Sequence, residues 1–444
     1  MTHSLYIKSK LLVSFFLIVF FASCEKSYKI DYAGKPNDLY SLNETLSEAL
    51  ILGTFSPPAA ARTFAYCNIA AYEALVLNSD SMQSLSKQFN LSYNLPSANE
   101  DYIPTLAMTI AYSSVAKDIV WHDYLFDDLQ DSILKHYKHI ASKKLIENSI
   151  QIGNDIASNI KNSLFKDGYY KTRKSSFYNF IQKPWAWETT PPKYAEAIEP
   201  WWHIVTPLVM DSANMFRAPK HPKFDTIPES DFYKEALESK KYSGKMMGDN
   251  IDMANFWDCN PYVTENRGHV TYTVRQMSPP AHWVAISIIA AKKKNLSLVE
   301  ASEIITKVSV VLNDAFISCW ETKYYYNLIR PITYINRYID NDWKPLLETP
   351  PFPEYTSGHS VISRASAIVL EDYFGSNFEY TDDSEVPFGK KPRKFNDFMQ
   401  ASNEAAISRL FGGIHFRSGI ENGILQGDNV GKYILFKLNT RKHP

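Results

Sequence analysis

"SLVEASEIITKVSVVLNDAFISCWETKYYYNLIRP", residues 297–331, decides the fold class. It opens on Ser297-x-x-Glu300, a capping box in which each side chain satisfies a backbone N–H that the helix start leaves free. Apolar residues then recur on helical spacing as far as Arg330. Pro331 ends the pattern, because it brings no N–H and clashes with the preceding turn. The same spacing recurs in "AARTFAYCNIAAYEALVL" (60–77) and "YIPTLAMTIAYSSVAKDIVW" (102–121). It recurs again in "KKLIENSIQIGNDIASNIKNSLF" (143–165), with Asp167-Gly168 as its stop. Further helices are predicted from Phe232, over 357–373 with Gly375 just beyond, within 395–411, and after His415. No run of period-two strands and no internal repeat appears. The prediction is an all-α fold, a helical bundle. Residues 168–232 are rich in Pro and aromatics and read as a long wrapped loop.

The chain has 444 residues, 47 basic and 48 acidic side chains, and a net charge of -1. That balance offers no basic face for nucleic acid, so any anion site must come from local placement of charge. Lys8 and Lys10 precede the apolar run Leu11–Phe21, and "FASC" (21–24) follows. This is the pattern of a secretory leader. The expected organisation is a leader over 1–23, a polar tether over 24–45, a helical region with long loops over 46–255, and a second helical region over 256–444. Beyond the leader no stretch is long enough to cross a bilayer; the best candidate, Trp283–Ala291, is stopped by Lys292, Lys293 and Lys294. Cys67, Cys259 and Cys319 have no metal-type spacing; they read as buried free thiols or one disulfide plus a free thiol.

Three pieces of the C-terminal third carry chemistry. In "KYYYNLIRP" (323–331) a continuous helix would set Lys323 and Arg330 on one face, roughly 10 Å apart. The neighbouring tyrosines point to burial, and buried cations want an anion. In "PEYTSGHSV" (353–361) Ser357 stands where a helix begins. The first N–H groups of that helix, Gly358 among them, are then free for an oxyanion, with His359 beside it. The alternative is an ordinary cap with an incidental histidine. In "SRLFGGIH" (408–415) Arg409 offers a planar fork, and Gly412-Gly413 lets the chain break so that His415 turns toward it. Other histidines are weaker signals. His136 and His139 sit among lysines and read as a solvated face. His203, His221, His269 and His282 lie among Pro and aromatics and read as loop packing. Asp258 is a candidate to orient an arginine.

Together the three pieces resemble the signature shared by type 2 phosphatidic-acid phosphatases, bacterial acid phosphatases and vanadium-dependent haloperoxidases: K-x6-R-P, P-S-G-H, S-R-x5-H. The matching residues are Lys323, Arg330 and Pro331; Ser357, Gly358 and His359; Ser408, Arg409 and His415. "FWDCNP" (256–261), "SPPAHW" (278–283), "PFPEY" (351–355) and Trp320 are similar to the haloperoxidase branch. The Cys after Ala-Ser resembles a bacterial lipobox, which implies a lipid on Cys24 and an extracytoplasmic lipoprotein. Two positions depart from the pattern. Thr356 replaces Pro, and Gly419 stands where many members carry the Asp that orients the last histidine.

The resemblance implies a cage for vanadate, or phosphate in the same place. Lys323, Arg330, Ser357, Gly358 and Arg409 would hold it, with His415 as the ligand to the metal. His359 and His415 are the implied catalytic residues. As a haloperoxidase the chain would use peroxide to oxidise halide for an organic acceptor, with His359 moving a proton. As a phosphatase it would attack a phosphate ester with His415, and the loss of the Asp at 419 weakens that reading. Phe352, seven residues before His359, is a feature of chloride-oxidising members. A third reading is a non-catalytic surface lipoprotein with an altered pocket.

Overall fold

The structure is a computed structural model that describes residues 36–442, apart from 176, 243–247, 261–263, 268 and 274. The expected leader and Cys24 lie outside the described residues. In chain order the N-terminal helices are α1 (Asn37–Leu52), α2 (Pro57–Val76), α3 (Pro104–Lys117), α4 (Leu125–Ile140), α5 (Lys143–Leu164) and the short α6 (Tyr169–Arg173). Then follow α7 (Asp231–Tyr242), α8 (Asp249–Phe256), α9 (Pro279–Lys294) and α10 (Leu298–Tyr326). The C-terminal helices are α11 (Pro331–Tyr338), α12 (Gly358–Phe374), α13 (Phe398–Phe411) and α14 (Arg417–Lys437). Two antiparallel hairpins, not foreseen from the sequence, pair β1 (Thr264–Arg267) with β2 (Val270–Thr273) and β3 (Tyr380–Asp382) with β4 (Arg393–Phe395). No described helix is long and apolar enough to cross a membrane.

Every residue of α2 is buried; most are apolar or small, and the polar exceptions are partnered, Arg62 by Asp167, Asn68 by Asn43 and Glu73 by Tyr93. It lies between α3 and α10. The Ser297–Glu300 capping box forms as the sequence predicts. A buried carboxylate is one of the ties that hold the loop over 168–232 to this core. Asp314, fully buried on α10, accepts N–H bonds from Leu208 at 2.7 Å, Val209 at 2.8 Å and Met210 at 2.9 Å. A buried carboxylate is tolerated where several N–H groups replace its water.

Three expectations need correction. The tether does not extend to residue 45, because α1 begins at Asn37 and buries Leu39, Tyr40, Leu42 and Leu46. Its polar residues hide an apolar face at helical spacing. Second, α2 from the first half packs on α10 from the second, and the described residues form one unit with no break at 255. Third, α10 stops at Tyr326, not at Pro331: Asn327 takes a left-handed conformation at φ 52 and Arg330 is extended. Lys323 and Arg330 therefore do not share a helix face. His136 and His139 are exposed, as a solvated face requires.

On α14 the glycines at 419, 423, 427 and 431 form one stripe, and α14 packs along α12. A Cβ at Gly427 would lie 2.3 Å from the Val361 carbonyl and 2.9 Å from Arg364 Cβ. The stripe buys this close approach against a helix cost of about 1 kcal/mol per glycine. Gly427→Ala should therefore destabilise the fold by about 1–3 kcal/mol through overpacking, although alanine favours helix. Urea unfolding of the variant beside the parent measures this; equal or greater stability would contradict it.

Candidate active site

The predicted pieces converge. Lys323 comes from the last turn of α10, Arg330 from the extended lead into α11, Ser357 to His359 from the start of α12, Arg409 from the last turns of α13, and His415 from the link to α14. Lys323 and Arg330 are 0% exposed, Arg409 1% and His415 3%. Three cations buried this deeply demand compensation.

Arg330 donates from Nε to the Phe352 carbonyl at 2.8 Å and from Nη1 to the Ile414 carbonyl at 2.7 Å. Nη1 also lies 3.2 Å from His415 Nε2. Its Nη2 is buried with no partner among the described residues. Arg409 donates to Ser408 Oγ at 3.0 Å and to the Ala254 carbonyl at 3.2 Å. Burial pulls the guanidinium down overall, and the charge of Asp258 opposes this by favouring its charged form. Lys323 behaves differently. It donates to the carbonyls of Pro353 and Glu354, each at 3.0 Å, and of Thr356. An ammonium has three donors, so Lys323 ties down the 353–356 loop and reaches the cavity through its field. Burial pulls its pKa to about 7.

Ser357 caps α12: its Oγ accepts from Ser360 N at 3.3 Å, and its own N–H donates to the Gly419 carbonyl at 2.9 Å. Thr356, in place of proline, donates to Gln426 at 2.6 Å and so links the loop to α14. A Cβ at Gly358 would meet nothing nearer than the Trp320 ring, at 3.6 Å. That space is open to whatever the cavity holds. The cavity is lined by Gly358, His359, Arg409 and His415, with Trp320 and Phe352 as an aromatic wall. Lys323, Arg330 and Ser357 stand behind this lining.

The helix break at Gly412-Gly413 occurs as predicted, with Gly413 at φ 73, and it turns His415 back toward Arg330. What orients His415 was missed in the sequence. Glu354 Oε1 lies 2.7 Å from His415 Nδ1 and accepts the Phe416 N–H at 3.1 Å. A Cβ at Gly419 would fall 2.3 Å from that same oxygen. Gly419 is therefore the room that the Glu354 carboxylate occupies. The orienting acid is present, but it arrives from the loop before α12 instead of from α14. The signal was the acid in "PEYTSGH" read together with the glycine at 419.

Burial, then Arg330, Lys323 and Arg409, hold His415 well below the ordinary imidazole pKa. It is neutral, and with Nδ1 bound to the carboxylate its lone pair is on Nε2. Glu354 itself is raised by burial to about 7, against the pull of Lys323 and Arg330. His359 is hydrogen-bonded to the backbone of Trp257, while its Nε2 is buried without a partner among the described residues. Burial, with Arg409 adding to it, keeps it neutral as well.

Cys67, Cys259 and Cys319 are buried free thiols, so the disulfide alternative does not arise among them. His282 is not in a loop: it sits in the first turn of α9, fully buried against Asp382.

The geometry yields a prediction for Glu354. Glu354→Gln keeps an acceptor but removes the charge that fixes the His415 tautomer. Loss of such an orienting partner typically costs 10–100-fold in affinity. Titration of the variant with orthovanadate should show that loss; unchanged affinity would mean that the pair does not position His415.

The chain is similar to proteins of known family. The family model "VCPO second helical-bundle domain" matches residues 303–441. A solved bacterial vanadium-dependent iodoperoxidase is 39% identical, with a TM-score of 0.86 over 91% of this chain and 97% of its own. A bacterial vanadium-dependent chloroperoxidase in its holo form is 17% identical, with a TM-score of 0.67 over 89% of this chain and 95% of its own. No curated protein matches. With a relative of that identity spanning nearly its whole length, the chain belongs to the vanadium-dependent haloperoxidase family.

Proposed function

We propose that this protein oxidises iodide with peroxide, using vanadate held by Arg330, Arg409, Ser357, the Gly358 N–H and His415. The observation that carries the proposal is the buried, uncompensated donor set. Arg330 Nη2 has no partner, and the neutral His415 keeps its Nε2 lone pair beside the same guanidinium. A multiply charged oxyanion satisfies both the charge and the donors. Vanadate, when bound, supplies a Lewis-acid centre for peroxide activation. The chain's own work is to hold the oxyanion, exclude water from it and move protons. Lys323 keeps the 353–356 loop, and with it Glu354, in register. His359 Nε2, unpartnered in the cavity wall, is the proton carrier in X⁻ + H2O2 + H⁺ → HOX + H2O.

Iodide is favoured because the 39% identical relative is an iodoperoxidase. Phe352, which packs 4.9 Å from Trp320, would favour chloride on the family pattern alone. The phosphatase reading keeps one specific support: Glu354–His415 is the carboxylate–imidazole pair a nucleophilic histidine needs. The absence of an Asp at 419 therefore does not argue against it.

Matched assays separate the readings. With vanadate and peroxide the protein should oxidise iodide faster than bromide or chloride; without vanadate it should release no phosphate from an aryl phosphate. Phosphate release with no halide oxidation would overturn the proposal. His359→Ala should lower kcat by roughly 10²–10⁴-fold while orthovanadate still binds. Because the folded pKa of His359 is depressed, its protonated fraction grows as pH falls. Iodide oxidation should therefore rise on acidification in the parent and lose that dependence in the variant.

We also propose that Cys24 carries lipid and that the protein acts outside the cytoplasm. Lys8, Lys10, the apolar run and "FASC" support this reading. Labelling cells with a palmitate analogue should mark the parent and not Cys24→Ser; equal labelling of both would refute it.

A further inference from the structure

At the cavity wall, reaching it through Cys259, lies a second polar cluster that the halide chemistry does not use. Cys259 Sγ lies 3.6 Å from His282 Nδ1 and 3.8 Å from Glu385 Oε1. His282 Nδ1 lies 3.6 Å from the same Glu385 oxygen. The three atoms form a nearly regular triangle drawn from three separate elements: the segment after α8, the start of α9, and the link between β3 and β4. His282 and Cys259 are 1% exposed and Glu385 is 0% exposed.

From these residues we propose a metal site, distinct from the oxyanion cage, in which Cys259, His282 and Glu385 bind one zinc ion. Zinc bond lengths of about 2.0–2.3 Å to N, O and S set tetrahedral ligand atoms roughly 3.4–3.6 Å apart. The observed triangle is within a few tenths of an ångström of that. Two further observations fit. His282 Nε2 is 2.8 Å from Asp382 Oδ2, and that carboxylate accepts hydrogen bonds from Ser384 N and Oγ at 3.1 and 2.6 Å. A histidine that donates one ring N–H to a carboxylate presents its other nitrogen as a lone pair, the usual support of a zinc-bound imidazole. Lys390 lies 3.1 Å from Glu385 Oε2, which leaves Oε1 for the ion.

One imidazole, one thiolate and one carboxylate suit zinc, and the two anions balance its charge. Binding releases the Cys259 thiol proton to solvent. Three protein ligands leave the fourth position to water. The ion would fix the wall of the active cavity. Cys259 and its neighbours Asp258 and Asn260 line that cavity. Trp257 stacks on the His282 ring with centroids 4.7 Å apart, and its backbone holds His359.

The test uses the whole chain and the metal alone, so it does not depend on halide oxidation or vanadate. Protein stripped with a chelator is titrated with Co²⁺, then with Zn²⁺ in competition. One equivalent of Co²⁺ should bind, with a sulfur-to-cobalt charge-transfer band and the intense visible bands of four-coordinate cobalt, and one equivalent of Zn²⁺ should displace it. Cys259→Ser should abolish the sulfur band and weaken binding at least tenfold; Asp382→Asn should weaken it 10–100-fold and keep the band. Absence of stoichiometric Co²⁺ and Zn²⁺ binding by the parent overturns the proposal whatever the variants do. A sulfur band that persists in Cys259→Ser overturns it too, since the ion would then sit on another cysteine.

Discussion

The constraint on which this structure turns is the burial of Lys323, Arg330 and Arg409 within one region of a helical core. Each charge taken out of water costs several kcal/mol unless partners replace the solvent. The chain supplies only part of that replacement. Lys323 is satisfied by backbone carbonyls, Arg409 donates to the Ser408 hydroxyl and the Ala254 carbonyl, and Arg330 is satisfied incompletely. The remaining positive potential and the orphaned donor are what support the proposal that the cavity takes an oxyanion. The surrounding architecture serves to hold that arrangement rigid: α12 lies between α10, α13 and α14, and the glycine stripe of α14 brings its backbone against α12.

Within that field, Glu354 settles the state of His415. A neutral imidazole among three cations must present its lone pair in one direction, and a carboxylate on Nδ1 leaves Nε2 for it. The exchange between positions 354 and 419 shows that this requirement is one of space as well as charge. The acid sits where a side chain at 419 would collide with it, so the glycine and the glutamate are two halves of one solution. The same carboxylate accepts the Phe416 N–H, which ties the orientation of the imidazole to the start of α14.

Much of this was legible in the sequence. Helical spacing, the Ser297 capping box and the Ser357 cap located the long helices, because these signals are local. The order of Lys323, Arg330, Ser357-Gly358-His359, Arg409 and His415 pointed to the candidate site. What could not be read depended on contacts distant in sequence. The left-handed turn at Asn327 separates Lys323 from Arg330, and no local signal outweighed the helical pattern there. Glu354 meets His415 only after α12 and α13 have folded between them. His282 read as loop packing because its partners, Asp382 and Glu385, lie about a hundred residues on. The polar composition of residues 37–45 concealed the apolar face of α1.

The central claim is that one oxyanion occupies the cavity with its metal on His415 Nε2. The most direct test is a crystal structure of the protein grown with orthovanadate. The account predicts vanadium within bonding distance of His415 Nε2, Arg330 Nη2 now paired with a bound oxygen, and Glu354 still on Nδ1. Vanadate bound elsewhere, or a cavity in which His415 has turned its Nδ1 toward the metal, would contradict it.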